Sequence, residues 1–147
     1  MKNLFLFFVI SVFSMVKTTA QTQESSWTVP NLKKYKLVIQ LTNGDTAVHR
    51  ATVKQIFNAL AAAPNTKIEV VCHNNGITFL QTAKTFQGDK IKELKAKGVM
   101  FAACENTLRE RKIEKAEIVP EAFFVPAGII EVVDKQSKKW AYLKAGF

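Results

Sequence analysis

Cys104 stands where a strand gives way to a helix, which is where an α/β protein places reactive chemistry. It ends the apolar run Gly98-Val99-Met100-Phe101-Ala102-Ala103 and is followed at once by the helix-start residues Glu105-Asn106-Thr107-Leu108. That order predicts a thiol at the carboxyl edge of a parallel sheet, the edge at which open α/β sheets bind ligands. Backbone N–H groups and the helix dipole favour the thiolate there, and the thiolate is the nucleophilic form of cysteine. Asn106 or Thr107 is the expected cap of the following helix. Arg109 and Arg111 add positive charge close behind, whereas the adjacent Glu105 opposes ionisation. The expectation is a partly exposed thiol with a pKa below the free value of about 8.5. A cysteine packed as a small apolar group is the plain alternative.

A second candidate closes the preceding strand. Cys72-His73 leads into Asn74-Asn75-Gly76, and His73 is placed to act as a base or hydrogen-bond donor facing the same crevice. A histidine bonded only to a loop carbonyl is the competing reading. Cys72, one residue inside the strand, reads as buried. A Cys72–Cys104 disulfide requires Cα atoms about 4.4–6.8 Å apart, hence neighbouring strands in suitable register, and the sequence leaves it open. Asn43, Asn75, Asn106 and Thr107 are the candidate pocket residues around the pair.

Other chemistries find little support. His49 and His73 are distant, and neither Cys-x-x-Cys nor His-x-x-x-His occurs, so no metal site is expected. No Gly-x-Gly-x-x-Gly, P-loop or Gly-x-Ser-x-Gly pattern is present, and no cofactor is expected.

The elements that must position these residues alternate along the chain. Tyr35 to Leu41 reads as a strand apolar enough for a sheet covered on both faces. Val53, Ile56, Phe57 and Leu60 then mark one buried face of a helix. Lys67 to His73 is the second strand, and a short amphipathic piece runs from Ile77 to Phe86. A helix from Asp89 to Lys97 precedes the third strand, Val99 to Ala103. After a loop at Cys104 come a short helix through Arg111, a strand at Phe123 to Val125 and a helix from Ala127 to Gln136. Trp140 to Leu143 is a fifth strand, at the sheet edge. Alternation of this kind predicts one three-layer α/β/α domain on a five-stranded, mainly parallel sheet.

The first twenty residues read differently. A basic start, the apolar run Leu4 to Val16 and then Thr18-Thr19-Ala20 predict a signal peptide over 1–20, cleaved before Gln21. The apolar run falls short of the about 20 residues that span a bilayer, so no membrane span is expected after cleavage, with an uncleaved anchor as the alternative. The protein is therefore expected to be exported, periplasmic or secreted. Residues 21–34 form a polar tail and 35–147 the domain. Two cysteines are too few for a disulfide scaffold. The net charge is +9, and losing Lys2 and Lys17 leaves 19 basic against 12 acidic residues, or +7. These lysines are scattered, with no aromatic residues interleaved for base stacking, so no nucleic-acid partner is expected.

Several stretches carry a resemblance. Lys36 through Asp45, Ile68-Glu69-Val70-Val71-Cys72-His73, Gly98 through Leu108, Val125-Pro126-Ala127-Gly128-Ile129-Ile130-Glu131 and the ending Gln136 with Trp140-Ala141-Tyr142 resemble DsrE/DsrF-like proteins. The resemblance runs from Tyr35 to Lys144. Members that relay sulfur carry a persulfide on a cysteine at the place of Cys104, so the resemblance implies Cys104 as sulfur acceptor. It also implies a homo-oligomer. The family often has a glycine after the strand-two histidine where this chain has Asn74-Asn75, and its sulfur relays are cytoplasmic. The expectation is an exported protein carrying or exchanging sulfur through a persulfide or mixed disulfide, with a donor or acceptor protein as partner. A non-catalytic oligomeric module, binding a small ligand or a protein near Asn43, His73 and Cys104, is the alternative.

Overall fold

Side chains that alternate between two apolar faces along each strand, with helices between the strands, build the fold. This computed structural model describes residues 34–146; the expected leader over 1–20 and all but the last residue of the expected tail lie outside the described residues. The strands are β1 Lys36–Leu41, β2 Lys67–Cys72, β3 Met100–Cys104, β4 Ala122–Val125 and β5 Ala141–Ala145. The helices are α1 Thr46–Ala62, α2 Gly88–Ala96, α3 Glu105–Arg111 and α4 Gly128–Ser137, with 3-10 turns at Asn74–Phe79 and Lys115–Glu117. The sheet order is β4-β3-β2-β1-β5. Every pairing is parallel, where the sequence predicted a mainly parallel sheet.

The two faces are covered unequally. Ile39, Leu41, Ile68, Val70, Phe101 and Ala103 face a large core closed by Val53 and Ile56 of α1, Phe79 of the first 3-10 turn, Ile91 and Leu94 of α2, and Leu108 of α3. The other face holds Val38, Val71, Ala102 and Val125 against Val132 of α4, with Phe123 and Trp140 half-buried at its margin. Thus α4 is the main helix on that face. Beneath it the Glu69 carboxylate is fully buried and bonded to Lys135 Nζ at 2.5 Å, and Lys135 also reaches Glu131 at 3.3 Å. Burial raises the Glu69 pKa, against the pull of Lys135.

Local chemistry sets the element ends. Asp45 caps α1 by accepting from the Ala47 N–H at 2.7 Å. Helix α2 ends in a Schellman motif, with Gly98 N–H on Lys95 O and Val99 N–H on Leu94 O at 3.0 Å. Gly98 takes the left-handed conformation this requires, at φ 88°. That turn aims the chain into β3 and so toward Cys104.

Three expectations are corrected in detail. The buried stripe of α1 is Val48, His49, Thr52, Val53 and Ile56; Phe57 and Leu60, in the second half of the helix, pack against the same core but are only half-buried. No loop separates β3 from α3, since Cys104 is at once the last strand residue and the helix cap. The amphipathic piece is a 3-10 turn ending at Phe79, followed by an isolated antiparallel bridge between Gln81 and Ile118.

Candidate functional site

Strand parity brings the polar residues together. Gln40 follows Val38 by two residues on β1, His73 follows Val71 beyond β2, and Cys104 follows Ala102 on β3, so all three project toward α4. Cys104 has β-region angles (φ −75°, ψ 113°), as a helix cap requires. Its sulfur stands where a cap oxygen would, and although it makes no cap hydrogen bond, the backbone N–H groups of Asn106 and Thr107 at the start of α3 favour its thiolate. Gly128, the first residue of α4, donates its N–H to the same sulfur at 3.2 Å. The start of α4 thus bonds the sulfur, and the start of α3 adds a favourable field.

The Thr107 hydroxyl is the further partner. It accepts the Asn74 N–H at 3.1 Å, which leaves its proton to give to Cys104 Sγ. Burial pushes the Cys104 thiol up, but the hydrogen bonds from Thr107, Gly128 and Asn106 outweigh it, and the pKa falls below its ordinary value. Arg109 and Arg111, expected to supply charge, are turned to other tasks: Arg109 bonds the Asn106 side chain and Arg111 bonds Asn75 Oδ1 at 2.6 Å. Glu105 is held away by Lys115. The expected partial exposure of the thiol is not found, since Cys104 is only 4% exposed in this chain.

A pocket of about 190 Å³ opens above the sulfur, lined by His73, Asn74, Cys104, Asn106, Thr107, Glu110, Ala127, Gly128 and Ile129. Of the residues singled out from sequence, it unites Cys104, His73, Asn106 and Thr107. Asn43 and Asn75 are placed elsewhere. The Asn43 side chain accepts from the Asp45 N–H at 2.8 Å and its carbonyl accepts from His49 Nε2 at 2.9 Å, while Asn75 is tied to Arg111. A larger crevice of about 660 Å³ lies beside α3, lined by Glu105, Arg109, Lys112, Glu114 and Lys115 among others, and holds neither cysteine nor histidine. Among the described residues no group of three or more His, Cys, Asp and Glu could hold a metal.

One of the two ring nitrogens of His73 is bonded to a residue other than Cys104. Its Nε2 lies 2.8 Å from Gln40 Nε2, and Gln40 Oε1 in turn accepts from the Tyr142 hydroxyl at 2.5 Å. Burial lowers the His73 pKa, which favours the neutral ring. Between His73 and Cys104 sits Gly128: a Cβ there would lie 3.2 Å from the His73 Cβ and Cδ2 and 3.3 Å from the Cys104 Cβ. A glycine is what this close approach requires. Gly128, Gln40 and Tyr142 escaped the sequence reading. Gln40 had a legible signal, as the polar residue inside Leu37-Val38-Ile39-Gln40-Leu41.

Cys72 is fully buried on the opposite face, where burial pushes its thiol far up. Both cysteines are free. The register explains why the open disulfide question resolves this way, since Cys72 lies opposite Ala103 and therefore back to back with Cys104.

The chain matches the DsrE/DsrF-like family over residues 35–145. Among solved structures it is similar to a protein of unknown function, MTH1491, from Methanobacterium thermoautotrophicum. The two are 26% identical with a TM-score of 0.72, and the match covers 75% of this chain and 98% of that one. No curated protein matches the chain.

Proposed function

The chain belongs to the DsrE/DsrF-like family, and on that premise we propose that it carries sulfur on Cys104. The observation that carries this reading is the Cys104 sulfur at the mouth of α3, bonded by the Gly128 N–H at 3.2 Å under a small pocket, with Asn106 and Thr107 also favouring its thiolate. Such donors stabilise a thiolate before any substrate arrives. The step is a transfer of sulfane sulfur from a donor R–S–SH. The Cys104 thiolate attacks the outer sulfur, a new S–S bond forms, the donor S–S bond breaks, and its electron pair leaves on R–S⁻. Cys104–S–SH then loses its proton to solvent. No separate oxidant is needed, because the sulfane sulfur is already oxidised. A pocket of about 190 Å³ suits so small a cargo better than a drug-sized ligand, whose sites begin near 300 Å³.

The same reading takes the protein to be a homo-oligomer acting outside the cytoplasm. Ile129, Ile130 and Val133 on the outer face of α4 are 62%, 64% and 55% exposed, an apolar stripe that a second copy could cover. The Leu4–Val16 run with Thr18-Thr19-Ala20 supports export. Among the described residues no helix is long and apolar enough to cross a membrane.

The test is intact mass after glutathione persulfide treatment. Addition of one sulfur atom, removed by reductant and absent in Cys104→Ser, is expected. An unmodified wild-type chain would overturn the sulfur-carrier reading and leave a binding module in its place.

A further inference from the structure

We propose that His73 Nδ1–H is the donor that holds the outer sulfur of a Cys104 persulfide, with Gln40 and Tyr142 as the residues that position the ring for it. This rests on the sulfur-carrier reading and adds what that reading lacks, a partner for the second sulfur.

Gln40 sets the tautomer of the ring. Its amide nitrogen, 2.8 Å from His73 Nε2, has only hydrogens to offer, so Nε2 accepts. A neutral imidazole accepting at Nε2 carries its proton on Nδ1. At its other end, Gln40 Oε1 accepts from the Tyr142 hydroxyl at 2.5 Å, which completes the row in this orientation of the amide. The three residues come from neighbouring strands β5, β1 and β2, and strand parity sets all of them on the α4 face. A rigid row of hydrogen bonds thus runs across the sheet and ends at the pocket wall. Gly128 lies against the Cδ2 edge of the ring, opposite its Nδ1 edge.

The remaining nitrogen is the one available to a ligand. The ring lines the pocket together with Cys104, and Nδ1 makes no hydrogen bond to any described residue. In a persulfide the inner sulfur keeps the place of the thiol, under the N–H groups of Asn106, Thr107 and Gly128. The outer sulfur extends into the pocket and bears the negative charge. Cations do not meet it there: Arg109 is bonded to Asn106 and Arg111 to Asn75, while the charged group in the pocket lining is Glu110. Tyr142 is the other titratable group in the row, and its proton is committed to Gln40. A neutral, oriented N–H therefore decides how well the anion is held.

Two measurements test this. Nitrogen NMR of the unloaded protein should find the His73 proton on Nδ1, with Gln40→Leu releasing the ring to a mixture of tautomers. A proton on Nε2 in the wild type overturns the proposal whether or not sulfur is carried. After loading with glutathione persulfide, the near-ultraviolet absorbance of the persulfide anion is titrated with pH. Losing a hydrogen bond to a charged group should raise the persulfide midpoint by about one pH unit in Gln40→Leu. Tyr142→Phe, at the edge strand and free of folding risk, should raise it by a smaller amount. The alkylation midpoint of the unloaded thiol should stay put in both variants. Unmoved persulfide midpoints overturn the inference and leave the carrier reading standing; absence of any persulfide on wild-type Cys104 overturns both.

Discussion

Cys72 and Cys104 end adjacent parallel strands with their thiols on opposite faces of the sheet, because Cys72 lies opposite Ala103 and Cys104 opposite Val125. Labelling of the native protein should therefore modify one thiol, Cys104, and labelling in denaturant both. Under a mild disulfide-forming oxidant, any disulfide should join two chains through Cys104. An intramolecular Cys72–Cys104 bond, seen by peptide mapping, would contradict the register.

Thr107 should matter more to the thiol than either nearby arginine. Thr107→Val removes a hydroxyl donor to the sulfur, and a hydrogen bond to a charged group is worth about 1.5–3 kcal/mol. The alkylation midpoint of Cys104 should rise by about one pH unit, with Thr107→Ser restoring it. Arg109→Gln should leave it nearly unchanged. Stability carries the same sign. A thiol whose folded pKa is depressed adds stability as pH rises from that folded pKa to the unfolded value near 8.5, and the gain is lost as pH falls back through the folded pKa. Cys104→Ser should abolish that pH-dependent increment in denaturant titrations.

Gly128→Ala places a methyl 3.2 Å from the His73 ring and 3.3 Å from the Cys104 Cβ. Either α4 or the ring must shift by a few tenths of an ångström, lengthening the bond from the residue 128 N–H to the sulfur. The expected outcome is a higher Cys104 alkylation midpoint together with a loss of stability of about 1–3 kcal/mol, the usual cost of overpacking. An unchanged midpoint would show that the thiolate does not depend on α4.

Glu110 lines the pocket, and its exposed carboxylate should repel anionic reagents approaching the sulfur. Glu110→Gln should speed alkylation by iodoacetate about two- to fivefold, the scale of an exposed charge interaction, and leave the neutral iodoacetamide rate alone. Raising the salt concentration should shrink the difference. Equal acceleration of both reagents would mean that the substitution opens the pocket instead.

Helix α1 is anchored by Ile56, which is fully buried, and less by half-buried Phe57, whose ring lies under Lys90. Ile56→Ala should cost about 2–5 kcal/mol in denaturant unfolding. Phe57→Ala should cost less than Ile56→Ala despite the larger side chain. The reverse order would mean that the helix face is rotated from the one described.

The sequence by itself determined the layered α/β architecture, since apolar strand runs alternating with helical stripes leave few other ways to bury those side chains. It also determined that Cys104 lies at a strand-to-helix junction and His73 at the end of another strand, because both positions follow from where periodicity changes. What only the tertiary structure decided is which groups reach the sulfur. Gly128 is 24 residues away along the chain and meets Cys104 only because α4 returns across the sheet. Gln40 and Tyr142 are 102 residues apart and meet only because β5 adds beside β1. The same packing spends the charge of Arg111 on Asn75, 36 residues away, whereas Arg109 meets Asn106 one helical turn back. Local pattern fixes how a segment is built and which face it turns inward; the register and order of strands fix which distant donors share an atom, and those donors set the chemistry of the thiol.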